Sequence, residues 1–371
     1  MEGIYIHIPF CASRCIYCGF YSTTQAGSRQ RYVNAVCREI VLRKDECHEA
    51  VETVYIGGGT PSQLSDEQLR QLFLYINKVY GPLNSKHEVT VECNPDDVTS
   101  RLADTLKQVG VNRVSMGVQT FSNERLAFLR RRHTAEQIQP AVEHLRRAGI
   151  DNISIDLMYG FPGETIDDWH HDIDAALALH VQHLSAYSLM YEEGTPLYRM
   201  LEQGRVSEVD EELSLQMFGD LADRLHEAGY EHYEISNFAL PGFRSRHNSS
   251  YWHGTPYTGL GAAAHSYDGG NRRQWNVSDI EKYMAGIEHG LPQLEFEELS
   301  PTDRYNERVM TALRTCEGLP LSELTPTQRS YCLHQAEPFL ADGQLVLSNN
   351  TLRLSRRGIF VSNMVMATLF L

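Results

Sequence analysis

Three cysteines fall within eight residues near the start of the chain, in the run His7-Ile8-Pro9-Phe10-Cys11-Ala12-Ser13-Arg14-Cys15-Ile16-Tyr17-Cys18-Gly19-Phe20. A tight loop with this C-x3-C-x2-C spacing can turn all three sulfurs toward one centre. Thiolates are soft ligands suited to iron–sulfur clusters or to zinc. Structural zinc usually takes four ligands from paired C-x2-C spacings, and no second pair exists, because Cys37, Cys47, Cys93, Cys316 and Cys332 are isolated. A four-iron cube held by three cysteines leaves one iron open to a small chelating ligand. The competing readings are a zinc site completed by His7 and three merely structural cysteines. Close clustering of thiols weighs against both.

The elements that must position this loop alternate. Strand candidates are Ile4–Ile8, Thr53–Ile56, Glu88–Cys93, Arg113–Val118, Ile153–Leu157 and His183–Leu189. Helical patterns lie between and after them at Arg29–Arg43, Asp66–Val79, Ser100–Val109, Asn123–Leu129, Thr134–Ala148 and Ile166–Leu179. Six β–α alternations predict parallel strands joined by crossover helices. An open or partial barrel and a doubly wound sheet both fit that count. Beyond Arg205 the pattern changes. Glu208–Ala228 reads as one long helix, Tyr230–Asn276 has little regular periodicity, and the chain from Ile280 is mostly helical, with a hairpin over 343–354 and a final helix. The expected organisation is a core barrel over 1–235, a connecting region over 236–290, and a helical, winged C-terminal domain over 291–371.

Polar residues recur where strands end. Gly57-Gly58-Gly59-Thr60-Pro61 follows the second strand, Glu92 ends the third, Gln119 ends the fourth, and Asp156 lies in the fifth. Parallel α/β folds gather ligands at those ends. Each residue alone could be a cap or a turn; together, on successive units, they predict a site. Gly259-Leu260-Gly261-Ala262-Ala263-Ala264 nearly matches a dinucleotide fingerprint but is discounted, because it follows no clear strand and opens no clean helix.

The cysteine spacing, with Tyr17 before the third thiol, resembles the radical S-adenosylmethionine superfamily. Tyr5, the HIPFC run and Phe20 resemble its coproporphyrinogen III oxidase-like branch, over essentially the whole chain. The resemblance implies a partial (β/α)6 barrel and a [4Fe-4S] cluster on Cys11, Cys15 and Cys18. It also implies S-adenosylmethionine chelated to the open iron for reductive cleavage of its sulfonium. Tyr5, Tyr17, Gly58, Gly59, Thr60, Glu92, Gln119, Arg131 and Asp156 are its implied cofactor residues, although Arg130 and Arg132 flank Arg131 as in a solvated charge run. The branch holds two activities, an oxygen-independent coproporphyrinogen III oxidase and a haem chaperone. The oxidase pattern has a fourth cysteine where Phe20 stands, and an extension ahead of the motif that here begins almost at Met1. Both differences favour the chaperone, a carrier in which no residue is assigned a catalytic role. Arg246-His247-Asn248-Ser249-Ser250-Tyr251-Trp252 matches the chaperones' HNxxYW motif. His247 is the implied haem ligand, ahead of His253 and of His265, which is expected near the cluster cavity.

Charge and composition bound the partners. With 33 basic and 48 acidic side chains the chain carries −15, which disfavours a grip on nucleic acid or anionic lipid. No signal-peptide pattern opens the chain, and the 13-residue apolar run IFVSNMVMATLFL is short for a membrane span and reads as a helix packed on its own domain. The expected setting is the reducing cytoplasm. The expected partners are haem, haem-accepting proteins such as respiratory enzymes, and an electron donor if the cluster is redox active.

Overall fold

The structure, a computed structural model, describes residues 2–371. Six parallel strands form its centre, hydrogen-bonded in chain order: β1 (Glu2–Ile8), β2 (Val51–Gly58), β3 (Glu88–Cys93), β4 (Arg113–Gln119), β5 (Asn152–Tyr159) and β6 (His183–Ser188). The helices α1 (Arg29–Leu42), α2 (Asp66–Tyr80), α3 (Ser100–Gln108), α4 (Asn123–Phe128), α5 (Ile138–Arg147) and α6 (Ile166–Ala178) lie between and after them. Ser65 with Gln68 and Thr165 with Asp168 form capping boxes that start α2 and α6.

Strand alternation sorts the two faces. Ile4, Ile6, Ile8, Val54, Ile56, Val89, Val91, Val114, Met116, Ile153, Ile155 and Leu184 are buried in the core beneath the helices. The intervening positions, Tyr5, Tyr55, Glu92, Arg113, Asp156, His183 and Tyr187, take the other face. That face, polar and aromatic, is the inside of the curved sheet.

After α7 (Pro196–Glu202) and α8 (Glu211–Glu227), the stretch expected to lack regular structure holds five short strands and a helix: β7 (Glu231–Glu234), β8 (Asn237–Ala239), α9 (Arg246–Trp252), β9 (Tyr257–Leu260), β10 (His265–Tyr267) and β11 (Arg272–Asn276). Strands of three to five residues with mixed aromatic and polar side chains carry no readable period. β8 pairs antiparallel with β6, and β9 pairs parallel with β1. With α10 (Ile280–Glu288) and β12 (Leu294–Glu298) the sheet reaches twelve strands and stays open, edged by β12 and β7. β12 falls in the segment expected to begin the C-terminal domain, yet it pairs with β11 in the large sheet.

The remaining elements are α11 (Pro301–Leu313), β13 (Leu319–Pro320), α12 (Pro326–Ala341), β14 (Leu345–Ser348), β15 (Thr351–Leu354), α13 (Arg356–Ile359) and α14 (Ser362–Leu369). They enclose a second core that includes Tyr305, Val309, Leu313, Leu352, Val365 and Leu369. The apolar tail is therefore packing surface, and no helix among the described residues is long and apolar enough to cross a membrane.

One buried carboxylate fastens the sheet's extension to the barrel. Glu39 of α1, 0% exposed, accepts from Arg43 Nη1 at 2.7 Å, Asn276 Nδ2 at 2.7 Å, the Gly261 amide at 2.8 Å and Tyr283 Oη at 2.6 Å. Gly261 has φ 97°, and a Cβ there would stand 2.6 Å from both the His7 carbonyl oxygen and Tyr32 Oη. The near-fingerprint at 259–264 does follow a strand, β9, which corrects the sequence reading; but it turns into β10 rather than a helix, and its second glycine serves this close approach. Replacing Glu39 with Ala takes from the buried Arg43 one of its two carboxylate partners, leaving Glu46, and takes this acceptor from Asn276, Tyr283 and the Gly261 amide, so it should lower unfolding free energy by about 3–5 kcal/mol. Denaturant titration checks this, and a loss below about 1 kcal/mol would show the network to be dispensable.

Candidate functional site

The cysteine loop leaves β1 and is pinned along its length. The Cys11 amide donates to the Thr23 carbonyl at 2.9 Å, Thr23 donates to Pro9 at 2.7 Å, Ile16 donates to Leu129 at 3.3 Å, and Leu197 donates to Ile16 at 2.9 Å. All three cysteines are free. Burial raises the Cys11 and Cys18 thiols above their ordinary range, and the neighbouring Cys15 adds to the rise in both. Thr60 Oγ1 donates to Cys11 Sγ at 3.6 Å, and Arg131 Nη1 to Cys15 Sγ at 3.5 Å. Tyr17 is held in its neutral phenol form by burial and by the neighbouring Cys15, against the charge of Arg131.

His7 does not complete a zinc site. Its Nε2 faces the Tyr21 carbonyl at 2.9 Å and must carry the proton; its Nδ1, 3.0 Å from Tyr5 Oη, then accepts from that hydroxyl. Neither nitrogen has a lone pair left for a metal.

The strands beside β1 carry groups of opposite charge. β2 ends in Gly57 and Gly58, where a Cβ on Gly57 would stand 2.7 Å from Glu92 Oε1, and one on Gly59 would stand 2.7 Å from the Pro9 carbonyl carbon. Glycine is required by the approach itself. The Gly58 amide donates to Glu92 Oε2 at 3.0 Å and Tyr55 Oη donates to Oε1 at 2.8 Å. Burial lifts Glu92 to about 7 in spite of these donors. Burial likewise lifts Asp156 to about 6, opposed by hydrogen bonding to Ser185 and by the charge of Arg113. Gln119 sits at the bulge that ends β4 with φ 70°, a left-handed conformation rare outside glycine.

Arg131 turns inward, unlike its neighbours in the charge run. Arg132 pairs with Asp96 and Asp97, while Arg131 donates to the Gly117 carbonyl at 2.6 Å and to Asn94. Its Nε is buried with no partner among the described residues. A carboxylate held short of full ionisation and a guanidinium with a spare donor, the latter against Cys15, suit a zwitterionic ligand. Glu92 would take its ammonium group and Arg131 its carboxylate. The residues present therefore fit a cluster carrying an amino-acid chelate.

Tyr5, Tyr17, Gly58, Gly59, Thr60, Glu92, Gln119, Arg131 and Asp156 thus lie on the cysteine loop, its flanks or the inner sheet face. His247 does not join them. It stands in the first turn of α9, 1% exposed, with Nδ1 2.8 Å from Thr53 Oγ1 and Nε2 2.8 Å from Tyr251 Oη. Its ring stacks on Tyr55 at 5.1 Å, and the Glu88 carboxylate accepts from its amide at 2.8 Å. Thr53 and Glu88 lie toward the starts of their strands, so α9 closes the floor of the barrel, opposite the thiols. His265, expected near the cluster cavity, is instead exposed on β10 and stacked on Trp275 at 5.4 Å. His253 caps α9, with Nδ1 2.7 Å from the Ser249 carbonyl oxygen.

Sequence reasoning missed Tyr55, Asn94 and Arg113. Arg113 is 1% exposed, and its Nε and Nη1 have no partner among the described residues. The signal was present: each lies within or just past a strand whose alternate residues are apolar.

The Radical SAM superfamily model matches residues 5–176, and the HemN C-terminal domain model matches residues 299–361. A Bacillus subtilis protein named heme chaperone HemW is 38% identical over 322 residues, covering 86% of this chain and 85% of that protein. A Mycobacterium tuberculosis protein of the same name is 36% identical over 375 residues, covering 99% and 94%. Among solved structures, coproporphyrinogen III oxidase (HemN) from Escherichia coli superposes with TM-score 0.84 at 22% identity, covering 100% of this chain and 90% of that one.

Folding raises Glu92 from an ordinary 4.5 to about 7. Between those pH values the folded state keeps a proton that the unfolded chain has released, so this group lowers stability as pH rises through the window. Glu92→Gln cannot titrate. The variant's stability, measured by denaturant midpoints from pH 4.5 to 7, should therefore fall less with pH than the parent's. Parallel curves would show that Glu92 titrates normally.

Proposed function

This chain belongs to the radical S-adenosylmethionine superfamily, in the family of its HemW-named relatives, and from that footing we propose that it binds haem and passes it to acceptor proteins. The observation that carries the reading is near full-length similarity to proteins named as haem chaperones. The exposed Phe20 side chain of the cysteine loop agrees, since it supplies no fourth thiol.

Cys11, Cys15 and Cys18 would hold a [4Fe-4S] cluster, and Glu92, Arg131, Gly58 and Thr60 would orient S-adenosylmethionine against it. Such a cluster supplies single electrons and an iron with an open coordination position. The chain's own contribution is a pinned loop with half-buried thiols. Arg131 places positive charge against Cys15, and Glu92 waits as a half-neutral acceptor that an ammonium group would ionise fully. A second reading, a radical enzyme acting on a tetrapyrrole such as coproporphyrinogen III, is favoured by how completely this constellation is kept.

His247 is better read as a strut of the barrel floor than as an iron ligand. Both of its nitrogens are engaged, and burial pushes the imidazole down to about 3, so it stays neutral. Haem acceptors and cellular compartment are open parts of the proposal; a cytoplasmic carrier serving respiratory enzymes is the form we favour.

Anaerobically reconstituted protein should bind haem and deliver it to an apo-acceptor without converting coproporphyrinogen III. Formation of protoporphyrinogen IX would overturn the carrier reading in favour of the enzyme. His247→Ala should lower the melting temperature while leaving haem affinity within about threefold, a margin below 1 kcal/mol. A larger loss of affinity in a folded variant would restore His247 as a ligand.

A further inference from the structure

A cavity of about 350 Å³ adjoins the cysteine loop and is lined also by residues of α4 and α7. Ile16, which sits between Cys15 and Tyr17, forms part of its lining with Phe128 and Met200, and Arg130, Arg199 and Arg205 also line it. No acidic residue does. Ile16 is 2% exposed and belongs to a small apolar core of its own with Leu129 and Leu197, against which Phe128 and Met200 pack. The cavity is therefore built in part on the same loop that carries the thiols.

The three arginines belong to the unpaired minority in this chain, as do Arg14, Arg38, Arg304 and Arg357. With a net charge of −15, most guanidiniums have carboxylate or carbonyl partners. Arg130, Arg199 and Arg205 make no ion pair and no side-chain hydrogen bond among the described residues. Arg130 also occupies a position that suits glycine. It follows α4 with φ 61°, its amide donating to Ala127 and the next amide donating to Leu126, a helix-ending turn whose left-handed residue is usually glycine. An arginine there accepts backbone strain while standing over the cavity.

We infer that this cavity binds haem by its two propionates, with the arginines pairing to the carboxylates and the macrocycle lying against Ile16, Phe128 and Met200. Guanidinium forks match carboxylates, and a concave site of mixed apolar and cationic lining suits a flat body with anionic edges. The inference rests on the haem-carrier reading and gives it a location next to the cluster loop rather than at α9.

The test compares haem with haem dimethyl ester, whose propionates carry no charge, by absorption titration of the cluster-loaded full chain. The parent should bind the ester at least about tenfold more weakly than haem. The triple variant Arg130→Ala/Arg199→Ala/Arg205→Ala should lose about as much affinity for haem and cease to distinguish the two ligands. Arg130→Gly relieves the left-handed strain, so it should weaken haem binding without lowering the melting temperature, which separates ligand loss from misfolding. A triple variant that binds haem like the parent overturns this site and leaves the carrier reading standing. A parent that binds no haem overturns both.

Discussion

A carboxylate with no water around it must find its hydrogen bonds inside the protein. Glu39 finds four donors on four different segments: Arg43 just past the end of its own helix, the Gly261 amide, Asn276 at the end of β11, and Tyr283 of α10. Only Arg43 is local. The other three hold β9 to β12 against the barrel, and so hold β9 beside β1. The cysteine loop leaves β1, and Gly261 approaches the His7 carbonyl so closely that no side chain fits between them. Position at the thiols is thus inherited from a charge buried on the far side of the strand.

The division of labour inside the sheet follows from alternation. Apolar residues on one face of each strand bind the helices, and the residues between them are free to be chemical. That is why the buried Arg113 can sit near the half-buried Glu92 and Asp156 without disrupting the core. Their proximity has an electrostatic cost, visible in carboxyls raised to about 7 and about 6. A ligand bearing a positive ammonium group would relieve part of it.

The six central strands and their helices were legible because their apolar periods are long and clean. Ile4, Ile6 and Ile8 alternate over a whole strand, and Ser65 and Thr165 announce the helices that follow them. The thiol loop was legible from spacing alone. The region from Tyr230 to Asn276 was not, because strands as short as Asn237–Ala239 hold too few residues for a period. His247 was readable as a motif, but its surroundings were not: Thr53, Tyr55 and Glu88 lie far off in the chain and meet it only when the sheet curves. The direction of Arg131 was hidden for the same reason, since three consecutive arginines look alike until α4 ends and turns each a different way.

The two larger hydrophobic cores lie beneath the barrel helices and among the C-terminal elements, and α9 touches both. Its His247 sits in the barrel floor, while Arg314 from beyond α11 lies over Trp252 at 4.9 Å and Arg308 donates to the Trp252 carbonyl at 3.4 Å. Two cores permit two cooperative units, each with its own heat capacity and its own melting. A short helix shared between them couples the two transitions, so a lesion in the C-terminal core would be felt as loosening at the base of the barrel, far from where the chain was changed.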